Sequence, residues 1–340
     1  MKEESEVGAA FSSPRVRRRS PDSNSTNGRS SLRIRRSAFG ILALALAAAS
    51  CTFEPAPHSD GKIVEIGRRG TSPGHFNFPR AMLVTPNNDL YVFDRTGRIQ
   101  RLAPDGRCLA LWNLPDFSNG TPTGAAFDRN GDLLVADTHY SRILRYSADA
   151  TTPAQFGRYG NGPGEMMYPQ DVAVDADGNI YVANYGGRDR IIKFRGDGTF
   201  IKEWGDTGCG PGQFQRPMAL AFLGDSDLVV ADSCNHRIQR FDLDGRFVAM
   251  YGSVGQGKGL LNYPYDVATS PKGEIYVCEY GNNRISKFTR DGRLAGTLGG
   301  PGTGLGQFRC PWGVALDRAG ALYVADTYNH RIQRFAPGTI

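Results

Sequence analysis

The stretch YVADTYNHRIQRF, residues 323–335, lies just before the C-terminus, and VVADSCNHRIQRF, residues 229–241, differs from it at three positions. Weaker copies are VFDRTGRIQRL (92–102), VADTHYSRILRY (135–146), VANYGGRDRIIKF (182–194) and VCEYGNNRISKF (277–288). Each copy holds an acid or amide followed, one turn later, by Arg-Ile. Upstream of each stands a proline that opens a short apolar segment: Pro79, Pro122, Pro169, Pro217, Pro264 and Pro311, at intervals of 43, 47, 48, 47 and 47 residues. Before most of these prolines runs a Gly-rich loop ending in Phe or Met, such as GPGQF (210–214); the second copy lacks it, which accounts for the short interval.

A period in the forties with several short strands per unit is the mark of propeller blades. The third unit reads as four strands, 171–175, 180–184, 190–194 and 199–204, joined by DG turns that favour hairpins. The chain ends after the third strand of its sixth unit, while KIVEIG (62–67) is a fourth-type strand with no unit before it. Closure solves both: residues 62–67 supply the outer strand of the last blade and leave no open edge at the seam. The expected fold is all-β, a six-bladed propeller of four-stranded antiparallel blades, in one domain over residues 61–340.

These residues resemble the NHL family, named for an Asn-His-Leu triplet where this chain has Asn-His-Arg at 235–237 and 329–331. The resemblance covers nearly all of 62–335. It implies the fold, and says little about function, because the fold serves many roles. Amidating lyases of this fold carry zinc through histidines beside the strand-opening proline, whereas this chain has Arg, Thr, Gln, Met, Tyr and Trp there. Eukaryotic relatives add RING-type zinc modules, which need paired Cys/His ligands that this sequence lacks.

The repeated acid or amide is Asp94, Asp137, Asn184, Asp232, Glu279 and Asp326, and the arginine is Arg98, Arg142, Arg190, Arg237, Arg284 and Arg331. A hairpin brings each pair together, so a structural clamp repeated in every blade is expected. His236 and His330 read as exposed turn residues, and no histidine pair has metal-ligand spacing on one strand. Beyond Cys51 there are Cys108, Cys209, Cys234, Cys278 and Cys310; Cys209–Cys234 or Cys278–Cys310 could bridge, and buried thiols are the alternative.

Function is sought where the repeats diverge. If the first strand lines the central channel, the positions after each proline ring its mouth: Arg80, Thr123, Gln170 with Asp171, Met218, Tyr265 with Asp266, and Trp312. Tyr185, Tyr280 and Tyr328 fall in turns on the same face. Aromatics and arginine are the residues of binding hot spots, so this face is the expected ligand or partner surface. No cofactor is expected. The alternative is a lactonase- or lyase-type metal enzyme with Ca²⁺ or Zn²⁺ in the channel, to which Asp171 and Asp266 would contribute.

Residues 1–30 are rich in Ser, Asn, Arg and Pro and read as a disordered extension, or as upstream of the true start. Residues 31–50, with Arg33, Arg35 and Arg36 before an apolar run of 38–49, read as a signal peptide. Small residues then lead to Cys51, as in a bacterial lipobox, so a lipid anchor on Cys51 with a tether over 51–60 is expected, an ordinary cleaved signal being the alternative. Thr52 lacks the Asp that often retains such proteins in the inner membrane, which favours the outer membrane or cell surface. Residues 1–60 hold nine Lys/Arg against six Asp/Glu, and the remainder 31 against 28, so the domain is near neutral. Nucleic-acid binding, a third reading, wants a clearer basic excess. The expected partner of this monomer is a protein, a peptide or an envelope glycan.

Overall fold

The computed structural model describes residues 61–147 and 152–340. The extension, signal and lipobox readings, Cys51 included, lie outside the described residues. The described chain forms six four-stranded sheets, every strand pair antiparallel. In the third blade the strands are Tyr168–Val174, Ile180–Tyr185, Arg190–Phe194 and Phe200–Trp204. The first begins earlier than the sequence suggested, because Tyr168 and Pro169 already pair with Tyr185 and Asn184. The turn after it is built by Asp175, whose Oδ1 accepts the N–H groups of Asp177 and Asn179, with Gly178 at φ 85°.

Ile63–Ile66 closes the ring. It pairs with Arg331–Phe335, from Ile63 opposite Phe335 to Ile66 opposite Ile332, and completes the last sheet. Ile66 is buried, and Glu65 Oε2 lies 2.5 Å from Arg331 Nη1. The core is six apolar layers, each pressed between neighbouring blades. At the seam, Phe76, Met82 and Val92 of the first blade meet Tyr323, Ala325 and Ile332 of the last. Each such side chain contributes about 1.5–3 kcal/mol on burial.

The repeated arginine does more than pair across a hairpin. Arg237 Nε donates to Asp232 at 2.7 Å, while its Nη1 and Nη2 donate to the carbonyls of Cys209, Gly210 and Gln213 in the Gly-rich loop. Arg284 and Arg331 repeat this with Glu279 and Asp326 and their own loops. Arg98 pairs with Asp94 and donates to Thr71 O and His75 O; Arg142, in the blade without the loop, holds Asp137 and Gln155. The acid in turn accepts a loop N–H, as Asp232 does from Gln215 and Asp326 from Arg309.

The third blade departs from the expected pairing. Asn184 lies opposite Arg190 in the sheet but shares no side-chain hydrogen bond with it; its Oδ1 accepts the N–H groups of Met167 and Tyr168. Arg190, fully buried, sits 3.2 Å from Glu203 of the outer strand. The position thus needs an acceptor for the loop, which an amide supplies, and the charge is balanced from another strand. Cys209, Cys234, Cys278 and Cys310 are free thiols, so neither suggested bridge is formed.

Candidate functional site

The strand-opening prolines do more than start strands. After Pro79, Pro169, Pro217 and Pro264 the pairing with the second strand slips by one residue, so Arg80, Gln170, Met218 and Tyr265 are bulged. A bulge re-aims a side chain, here toward the mouth of the channel. In the sixth blade Trp312 holds the same place, its N–H bonded to Ala325 O just before the strand Gly313–Leu316. Gln170 and Met218 are buried, and Thr123, which lines the channel cavity, donates to Gln170 O at 2.8 Å.

Tyr265, Tyr280 and Trp312 assemble into one cluster. Tyr265 and Tyr280 stack at 4.5 Å and 22°, and Trp312 lies 4.8 Å from Tyr265 and 5.8 Å from Tyr280. The Arg80 guanidinium covers the Trp312 ring at 4.5 Å. Burial and the charges of Arg95 and Arg216 bring Arg80 down to about 10. On the third and fourth blades Tyr185 stacks on Tyr168 at 5.0 Å, with Arg216 over Tyr185 at 5.3 Å. Tyr328 does not join the first cluster: it packs on Phe78 at 5.2 Å, and Arg95 covers Phe78.

Below the rim runs a cavity of about 330 Å³, lined by the innermost strands of all six blades, among them Leu83, Ala126, Val172, Leu220, Val267 and Ala315. Asp171 and Asp266 face into it. Asp171 accepts the N–H groups of Val172 and, from the next blade, Leu220; Asp266 does the same with Val267 and Val314. Each is a rivet between neighbouring inner strands. Burial pushes Asp266 up to about 7, and burial with the charge of Asp266 pushes Asp171 up as well. Gly124 is required here, because a Cβ would collide with Asp171 and Gln170.

Several rim residues escaped the sequence reading. Phe78, Tyr168 and Arg216 precede the prolines, whereas the repeats point to the positions after the prolines and to the turn tyrosines. Their variation across copies was an available signal. Phe78 and Arg216 sit at φ 53° and 55°, a strained region for side chains. The histidines also differ from expectation. His236 Nδ1 accepts the N–H of Tyr263 at 3.1 Å, and His330, buried, accepts that of Phe78 at 3.2 Å. Asp189 and Asn283 serve the same place, accepting from Arg216 and Cys310. These residues latch the third, fourth, fifth and sixth blades each to the next. Burial lowers both histidines, which suits a neutral acceptor.

A family model for the NHL repeat matches residues 214–241, 261–288 and 308–335. No curated protein sequence matches the chain. Among solved structures, a virginiamycin B lyase from Staphylococcus aureus is 14% identical over 83% of this chain and 97% of its own, with a TM-score of 0.56. A gluconolactonase from Xanthomonas campestris is 17% identical over 83% and 96%, at 0.59. An auxiliary nutrient binding protein from Bacteroides ovatus is 18% identical over 81% and 76%, at 0.61. Identities this low carry the fold and nothing finer. With three matched repeats, six sheets of one build and a seam closed by its first strand, this chain is an NHL-repeat six-bladed β-propeller.

Proposed function

We propose that this propeller is an exported, lipid-anchored recognition platform whose rim receives a protein, a peptide or an envelope glycan. One observation carries the reading: the bulge at Tyr265, the turn at Tyr280 and the residue before the first strand of the sixth blade bring Tyr265, Tyr280 and Trp312 into one aromatic cluster. Large rings beside a guanidinium are hot-spot material. One neighbour in fold is described as an auxiliary nutrient binding protein.

A metal-dependent enzyme with its site in the channel is the second reading, favoured by the pairing of Asp171 and Asp266 in one cavity. Ca²⁺ takes six or more oxygens. Among the described residues no group of three or more His, Cys, Asp or Glu converges, and both Asp171 oxygens already accept backbone N–H groups. A histidine-to-alanine change leaves the virginiamycin B lyase catalytically inactive; here His236 and His330 are engaged as latches, away from the channel. Zinc through histidines at the prolines has no residues to use.

The test is photo-crosslinking in living cells, with probes at Arg80, Tyr265 and Trp312 and controls at Asp177 and Asp244 in turns of the opposite face. Adducts are collected from the membrane fraction, which a Cys51→Ser chain should leave. A discrete adduct from the rim and none from the controls is the expected result. Silence from every rim probe would sink the platform and return attention to the channel.

A further inference from the structure

Five arginines bury an Nε that has no hydrogen-bond partner: Arg80, Arg145, Arg190, Arg216 and Arg240. Three of them have a carboxylate at hand, with Arg145 at 3.9 Å from Asp128, Arg190 at 3.2 Å from Glu203 and Arg240 at 3.3 Å from Asp227. Arg80 and Arg216 have no ion pair among the described residues. Both stand at the rim, and both are close enough to Tyr265 and His139 to act on each.

The contacts they do make leave their charge open. Arg80 Nη1 reaches Thr121 Oγ1 only at 3.5 Å, and its face lies on Trp312. Arg216 covers Tyr185, and its own backbone N–H goes to Asp189 Oδ2, which forms no ion pair with its guanidinium. The channel carboxylates are occupied by backbone donors. Both side chains are half-buried, and the Nε of each is sealed from water with no acceptor on it; a donor left unmet in this way is costly, and a chain that tolerates it at one place twice has a reason outside itself. The Trp312 Nε1 is also buried without an acceptor; Trp112 and Trp204 share that trait, so the weight rests on the arginines.

We infer that the rim binds an oxyanion, a carboxylate or phosphate carried on a flat ring, with Arg80 and Arg216 as its counter-charges. The inference rests on the platform reading and names the chemistry it would recognise. The planar guanidinium fork matches an oxyanion in bidentate fashion. The stacked pair Tyr265–Tyr280 and the edge of Trp312 offer the ring its surface, in offset or edge-to-face contact. Arg95, exposed above Phe78, adds to the attracting field.

The experiment titrates the purified chain with phenylacetate, phenyl phosphate and the neutral phenylacetamide, read by saturation-transfer NMR and by tryptophan fluorescence. Ligands of this size bind in the low millimolar range at best. At least one anion should bind about tenfold more tightly than the amide. The better anion tells carboxylate from phosphate. Arg80→Gln and Arg216→Gln should each erase the preference. Arg80→Gln should also raise the Tm of the ligand-free chain, because it removes an uncompensated charge, and this shows that the variant folds.

If the amide binds as well as the anions, the rim takes rings without counter-charge: the inference falls and the platform stands. If no probe binds at low millimolar concentration, the inference falls, and crosslinking judges the platform separately. An anion preference that survives both arginine changes also overturns it, since the site is then elsewhere.

Discussion

Asp266 shows how much one buried carboxyl can ask of a fold. Burial lifts it to about 7, against about 3.9 in an unfolded chain. Between those values the folded chain holds a proton that the unfolded chain has released, so stability falls as pH rises. The contribution is complete below about pH 4 and lost as pH rises through about 7. Asp171 acts in the same direction. The latch histidines act oppositely: burial lowers His236 and His330, so their contribution is present above about pH 6.5 and lost as pH falls through their folded values. Asp266→Asn separates the two. Its Tm should change less than that of the parent chain between about pH 5 and about pH 8, the slope that Asp171 contributes remaining, while the decline on the acid side stays. An unchanged slope on the alkaline side would assign the raised acid elsewhere.

At the scale of the strand, Arg190, Arg237 and Arg331 each have a partner on the outer strand, and only the hairpin acid could be read from the repeat. The hairpin acid was plain, since it lies a turn away in sequence. The second partner comes from the outer strand, opposite the second residue after the arginine: Glu203 faces Ile192, Glu65 faces Gln333, and Met250 faces Gln239. In the third and fourth blades that register depends on a bulge in the outer hairpin, which leaves no mark in the sequence. The latches were hidden for a similar reason. His236 at φ 53° and His330 at φ 58° reach the next blade only because the backbone there is left-handed. The strands, their number and the mouth of the channel were visible in spacing and proline position. Side chains that act across a blade boundary were not.

The second partner makes a prediction about exchange. Asp232→Asn copies the third blade's amide but leaves Arg237 without a carboxylate, a loss of about 3–5 kcal/mol for a broken buried pair. Met250 stands where Glu203 stands, with its sulfur 3.6 Å from Arg237 Nη1. Adding Met250→Glu should therefore recover much of the loss, and the double-mutant cycle should show coupling of about 1 kcal/mol or more. Additive effects in denaturant unfolding would mean that the amide in the third blade and Glu203 are unrelated.

For the whole molecule the decisive element is the shortest part of the argument, the four residues Ile63–Ile66. A ring of blades has no edge only if its last sheet is complete. Here completion comes from the other end of the domain, so closure joins residues some 266 positions apart through Arg331 and Glu65. Without this strand the third strand of the last blade would present free N–H and C=O groups, and Ile332 and Phe335 would lose their cover. Ile66→Ala should cost about 2–5 kcal/mol, as expected of a buried isoleucine. Ile201→Ala, on an exposed place of an outer strand that does not close the ring, should stay within about 0.5 kcal/mol. A chain beginning at residue 68 should melt at a lower temperature and associate through the open edge, by light scattering. A synthetic peptide of residues 61–67, added in excess, should restore both, because binding to the folded state alone stabilises by mass action. Should the shortened chain melt where the parent does, and stay monomeric, the seam would be ornament, and the six blades would hold their circle by the layers between them.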